Sequence, residues 1–167
     1  MGEQDASPLL AESPYSTDNL EKASAKVPSM RRVGKSKITP ASHPSSDLEI
    51  IVAEDHNANR IYAVNLLNKL GYNPRIAANG LEVLEMVRQK PCDVILMDCQ
   101  MPELDGFEAT RIIRTNERST DQHVPIVALT AHALADDRQK CLDAGMDDYL
   151  SKPFKPEQLY ETLTRWL

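Results

Sequence analysis

The chain has 167 residues, enough for one ordinary domain and a tail but not for two full domains. Its formal net charge of −6 argues against nucleic acid as a partner, because phosphate binding needs a basic face. No apolar run approaches the roughly 20 residues of a membrane span, and the amino terminus lacks the charged-then-apolar pattern of a signal peptide. Direct membrane insertion is therefore not expected. Met1-Gly2 looks like a myristoylation start, but Ala6 stands where Ser or Thr is needed. Cys92, Cys99 and Cys141 form an odd set without CxxC spacing, which disfavours a disulfide framework or a zinc site and points to a reducing, cytoplasmic compartment.

Residues 1–46 carry many Ser and Pro and almost no aliphatic runs, so they read as a disordered tail or linker. Their basic stretch, Arg31-Arg32 with Lys35 and Lys37, could touch an acidic partner or a membrane surface but reads first as part of a solvated linker. From residue 47 to 167 the pattern is that of a folded domain. The first strand is expected over Ile50–Ala53 and ends in Glu54-Asp55. In the helix that follows, Ile61, Val64 and Leu67 share a face opposite Asn65, Asn68 and Lys69, and Gly71 can end it in the left-handed conformation. A weaker strand at 74–78 leads to a helix marked by Leu81, Val83, Leu84 and Val87. The third strand, 94–97, ends in Asp98, and Phe107, Ala109, Ile112 and Ile113 mark its helix. The fourth, 126–129, ends in Thr130. Its helix is marked by Leu134, Cys141 and Leu142 and is stopped by Gly145. Tyr149-Leu150 begin the last strand, which ends in Ser151-Lys152-Pro153. Leu159, Leu163 and Trp166 mark the final helix, with Pro156 in its first turn. Three of the strands are apolar at consecutive positions, as in a parallel sheet buried on both faces. Five strand–helix repeats predict an open, doubly wound α/β domain.

In such sheets ligands bind beyond the carboxyl ends of the strands. That rule alone gathers Glu54, Asp55, Asp98, Thr130 and Lys152 on one rim. Crowded carboxylates repel one another, and a hard divalent cation such as Mg²⁺ relieves the conflict. Asp98 can then act as a nucleophile toward a phosphoryl group, whose three equatorial oxygens need stabilisation. Mg²⁺, the Lys152 ammonium and the Thr130 hydroxyl could each hold one. An acidic residue after a strand is more often a simple helix cap, and Asp105-Gly106 alone is only a turn signal. The joint occurrence at successive strand ends is what carries the reading.

These residues resemble the receiver domains of two-component response regulators. The resemblance covers about residues 48–167 and rests on Val52-Ala53-Glu54-Asp55, on Asp93 to Asp98 with Met101-Pro102-Glu103-Leu104-Asp105-Gly106, on Val127-Ala128-Leu129-Thr130-Ala131, and on Tyr149-Leu150-Ser151-Lys152-Pro153-Phe154. It implies a flavodoxin-like (CheY-like) sheet of order 2-1-3-4-5, and Asp98 as the phospho-acceptor. Glu54 and Asp55, with the Gln100 backbone carbonyl, are implied as Mg²⁺ ligands beside Asp98. Glu54 stands where Asp is commoner. Thr130 and Tyr149 resemble the switch pair, Lys152 the phosphate-contacting lysine, and the Lys152-Pro153 bond is expected to be cis. The implied donor is a phosphohistidine on a histidine kinase or histidine-phosphotransfer domain, and phosphorylation would shift surfaces around helix four, strand five and helix five.

The stretch from Ala53 to Arg60, Leu67 to Gly71 and Gly145 to Tyr149 look like receivers of hybrid sensor histidine kinases, in which a Ser/Pro-rich linker precedes the receiver. A single-domain regulator or the carboxyl-terminal receiver of a hybrid kinase is therefore expected, with no enzyme activity beyond self-catalysed phosphorylation and dephosphorylation. If the chain is a piece of a kinase, membrane association would come through the parent. Ile61 and Tyr62 on helix one are the expected partner contacts. Gln100 and His132 should flank the phosphate, and a bulky His132 should slow its hydrolysis. Two rival readings are a Mg²⁺-dependent aspartyl phosphatase of the haloacid dehalogenase type and a non-phosphorylated scaffold. The first normally needs a second Asp two residues beyond the nucleophile, where this chain has Gln100. The second would need neither the acidic set nor Lys152. GxGxxG and P-loop patterns are absent.

Overall fold

Consecutive apolar residues force both faces of a strand indoors, and a sheet built from such strands must be covered by helices on two sides. The computed structural model, which describes residues 48–120, 122–131 and 135–167, has this arrangement. The strands are β1 (Ile50–Ala53), β2 (Arg75–Ala77), β3 (Val94–Asp98), β4 (Ile126–Thr130) and β5 (Asp148–Ser151). The helices are α1 (Asn57–Lys69), α2 (Gly80–Gln89), α3 (Gly106–Glu117), α4 (Ala135–Ala144) and α5 (Pro156–Trp166). The five strands are all parallel, in the order β2-β1-β3-β4-β5. The proposed tail at 1–46, Leu134 and His132 lie outside the described residues.

The period of two along each strand divides the core into two layers. Ile51, Ala53, Ile95, Met97, Ile126 and Ala128 point to one side, against Val83 and Val87 of α2, Ala109 and Ile113 of α3, and Cys141 of α4. Ile50, Val52, Val94, Leu96, Val127 and Leu129 point to the other, against Ala63, Leu66 and Leu67 of α1 and Leu159 and Leu163 of α5. β1, β3 and β4 are buried at every residue, whereas Ile76 on edge strand β2 is 42% exposed.

Two details depart from the sequence reading. Ile61, placed on one face with Leu67 and also named as a partner contact, is exposed, and Ala63 and Leu66 take the inward place beside Leu67. Leu142 is likewise exposed, so the inward stripe of α4 there runs through Cys141 and Ala144. Gly71 and Gly145 adopt the left-handed conformation at the ends of α1 and α4, with φ of 88° and 96°, where a Cβ would be strained.

Asp105, read from sequence as a turn residue, is the amino-terminal cap of α3: its carboxylate accepts from the Glu108 N–H at 2.8 Å. Gly106 has a stricter reason. A Cβ there would lie 2.1 Å from the Asp98 carbonyl oxygen, so only glycine lets the start of α3 come this close to the end of β3.

Candidate functional site

The register fixes which strand ends meet. Ala53 pairs with Met97, so Glu54 and Asp98 leave β1 and β3 side by side. Asp98 pairs with Leu129 and Thr130 with Ser151, which brings Thr130 and Lys152 to the same rim. The order 2-1-3-4-5 places the reversal of winding between β1 and β3, the crevice where ligands bind in open α/β sheets. The residues that the sequence assigned to this rim are therefore together in space.

The Lys152 ammonium lies 2.8 Å from Glu54 Oε2 and 2.8 Å from Asp98 Oδ2, bridging two carboxylates that are themselves almost wholly buried. Its backbone N–H donates to the Thr130 carbonyl at 2.7 Å. Glu54 Oε1 accepts from the Asn59 side chain at 3.1 Å and from the His56 N–H at 3.2 Å. Asp98 Oδ1 accepts from the Gln100 N–H at 3.2 Å. Thr130 is buried at the end of β4, and the Lys152-Pro153 bond is cis. Tyr149 is half-buried on β5, with the Arg138 guanidinium 5.4 Å from its ring centroid.

The two buried carboxylates respond differently to this setting. Burial pushes both upward. For Glu54 the hydrogen bonds from Lys152 and Asn59 prevail and hold it below the ordinary carboxylate range. For Asp98 burial prevails over the help from Lys152 and the Gln100 N–H, and the nearby Glu54 charge adds to the rise. Lys152 is held above its ordinary value: burial opposes its charge, but hydrogen bonds to Asp98 and Glu54 outweigh that.

Ligand oxygens of Glu54, Asp55 and Asp98 all lie within 4.8 Å of one another. Three carboxylates against one ammonium leave the rim with excess negative charge, and an all-oxygen donor set of this size suits a hard divalent cation. The residues present therefore fit Mg²⁺.

Three contributions to the site were not read from the sequence. Asn59 fixes the orientation of Glu54 from the first turn of α1, and its spacing of five residues from Glu54 was the available signal. Gly106 permits the approach of α3 to Asp98. The Tyr62 hydroxyl, read only as a partner contact, donates to the Phe154 carbonyl at 2.6 Å. Ile61 and Tyr62 are 51% and 42% exposed on α1. No helix among the described residues is long and apolar enough to cross a membrane.

Residues 50–164 match the family described as the response regulator receiver domain. Among curated proteins, the hybrid signal transduction protein dokA of Dictyostelium discoideum is 45% identical over 118 residues, covering 71% of this chain and 7% of that protein. The sensor protein GacS of Pseudomonas syringae pv. syringae is 36% identical over 154 residues, 92% of this chain and 17% of that protein. This chain thus spans a small part of these relatives. Among solved structures, the receiver domain of the sensor histidine kinase PA1611 from Pseudomonas aeruginosa PAO1, with a magnesium ion in its active-site cleft, matches with a TM-score of 0.65 and 45% identity. It covers 71% of this chain and 96% of that one. A co-crystal structure of the Saccharomyces cerevisiae histidine phosphotransfer protein Ypd1 with the receiver domain of Ssk1 matches with a TM-score of 0.67 and 32% identity, covering 71% and 88%.

Proposed function

The chain belongs to the response regulator receiver domain family, and on that premise we propose that Asp98 accepts a phosphoryl group from a phosphohistidine partner in a phosphorelay. The observation that carries this reading is the Lys152 ammonium set 2.8 Å from both Asp98 and Glu54 beside a third carboxylate, Asp55. An Asp98 oxygen attacks phosphorus while the phosphorus–nitrogen bond of the donor breaks. The bonding pair stays on the imidazole nitrogen, and the product is an aspartyl phosphate. Lys152 follows the charge, since its ammonium can pass from the Asp98 oxygen to an oxygen of the transferred group. Thr130, at the neighbouring strand end, offers its hydroxyl to a second.

Glu54, Asp55, Asp98 and the Gln100 carbonyl would hold Mg²⁺, which supplies neutralisation of the carboxylates and of the phosphoryl charge. Support for this metal comes from the oxygen cluster and from the magnesium ion of the PA1611 receiver. Tyr149 and Thr130 form the switch pair. Exposed Ile61 and Tyr62 form the core of the docking face for a histidine-phosphotransfer domain, a reading favoured by the Ypd1 complex of a related receiver. The parent protein is then a hybrid histidine kinase, or the chain is a stand-alone regulator with residues 1–46 as tail or linker before a domain at 47–167. Its place is cytoplasmic. The phosphatase reading finds no support in these similarities.

The test is incubation with phosphoramidate and Mg²⁺. One phosphoryl group per chain is expected on Asp98, and none on Asp98→Asn. Undiminished labelling of the variant would remove Asp98 from its role.

A further inference from the structure

We propose that Tyr62 is a positioning residue for Lys152: its hydroxyl pins the loop that aims the ammonium at Asp98. This rests on the phosphoryl-transfer reading above. A lysine is a point charge on a flexible four-carbon stem, so its aim depends on how firmly its backbone is held. On one side of Lys152 the hold is the N–H bond to Thr130 at the end of β4. On the other side, two residues on, the Phe154 carbonyl accepts the Tyr62 hydroxyl at 2.6 Å, across 92 positions of sequence. The Phe154 ring is buried, and its centroid lies 5.6 Å from that of Tyr62 with the planes inclined by 52°. The segment 152–154 is thus stretched between β4 and α1, and in these two ties the only side-chain donor is Tyr62.

The direction of the hydroxyl is what needs explaining. Tyr62 is 42% exposed on the outer side of α1, where a phenol would ordinarily keep its oxygen in water. Here the oxygen is turned inward to a backbone carbonyl instead. Tyr62, Phe154 and Lys152 also line one groove of about 330 Å³ that opens beside Glu54 and Asn59. A phosphohistidine partner covering this face would exclude water from the Tyr62–Phe154 bond and so strengthen it. Docking and the aim of Lys152 are coupled through one hydroxyl.

The test uses the full chain with phosphoramidate and Mg²⁺, a donor too small to need a docking face. Tyr62→Phe keeps the ring and loses only the donor. It should slow phosphoryl incorporation about 3- to 10-fold, the range of one net hydrogen bond, while the chain still unfolds cooperatively. Tyr160→Phe, which removes the hydroxyl of another exposed tyrosine on α5, should leave the rate unchanged. In a Lys152→Ala background the Tyr62→Phe effect should vanish, because Tyr62 acts through Lys152. An unchanged rate in Tyr62→Phe, or full additivity with Lys152→Ala, overturns the positioning role and leaves Asp98 as acceptor. If the unmodified chain takes no phosphoryl group at all, the underlying reading falls, and this inference with it.

Discussion

Charged side chains gather at both ends of the sheet, two carboxylates beside one guanidinium at one end and three beside one ammonium at the other. At the amino-terminal ends of β4 and β5, Arg114 of α3 reaches Glu117 at 2.6 Å, Asp147 at 2.6 Å, and the carbonyls of Gly145 and Val124. The two carboxylates also accept backbone N–H groups, Val124 onto Glu117 and Ile126 onto Asp147, and His123 sits between them. Donors and acceptors there match, and the planar guanidinium ties three chain segments together. At the carboxyl-terminal ends, three carboxylates face one flexible lysine. Dense ion pairing therefore does not mark a site. The larger excess of carboxylates, held in the crevice at the carboxyl-terminal ends of the strands, is what marks one here.

Breaking the Arg114 end should cost the most. Arg114 is 15% exposed and its partners 11% and 13%, so Arg114→Met would leave two largely buried carboxylates with only backbone N–H groups and His123. Removing one partner of a buried pair costs about 3 kcal/mol or more. A loss of that order in the unfolding free energy from urea titration is expected, with phosphorylation of the folded fraction preserved. A loss of less than about 1 kcal/mol would show that this end is not a clamp.

The Lys152 end should respond in the opposite sense. In metal-free solution Asp98→Asn removes a charge that burial already disfavours, and the thermal midpoint should rise. Mg²⁺ should reverse the ranking. At about 100 times its Kd, a cation that binds only the folded chain adds about 2.7 kcal/mol. That gain should appear in the unmodified chain and shrink in Asp98→Asn. Equal Mg²⁺ shifts in the two proteins would refute the assignment of Asp98 to the metal-binding set.

The contrast between the two ends also explains what could be read in advance. β1, β3 and β4 were legible because every residue is buried, and the strand-end rule then delivered Glu54, Asp98, Thr130 and Lys152 without any contact information. β2 was faint because an edge strand with exposed Ile76 has only half a burial pattern to show. The grouping of Ile61 with Leu67 on α1 did not hold, because apolar residues occur nearly all round that helix, and periodicity cannot say which of Ile61, Ala63 and Leu66 meets the sheet. Gly106 and the Tyr62 hydroxyl depend on backbone approaches between segments far apart in sequence. No local pattern encodes those. The Arg114 clamp escaped notice for the same reason, since its partners lie up to 33 positions away.

The smallest effect is expected where the two ends meet, along β5. Tyr149, the proposed switch aromatic, has the Arg138 guanidinium of α4 at 5.4 Å from its ring centroid. Arg138 is exposed, and an exposed cation–π contact is worth about 0.5–1 kcal/mol. Arg138→Ala should therefore change stability by no more than about 1 kcal/mol. A two-state switch with a gap of a few kcal/mol is nevertheless sensitive to a bias of that size. If the contact favours the ring position seen here, its removal should raise the population of the alternative ring position several-fold. The check is the Tyr149 ring resonances in NMR, followed with and without Mg²⁺ and phosphoramidate. Resonances unmoved by Arg138→Ala would mean that packing against the sheet, and not the guanidinium, sets where Tyr149 rests.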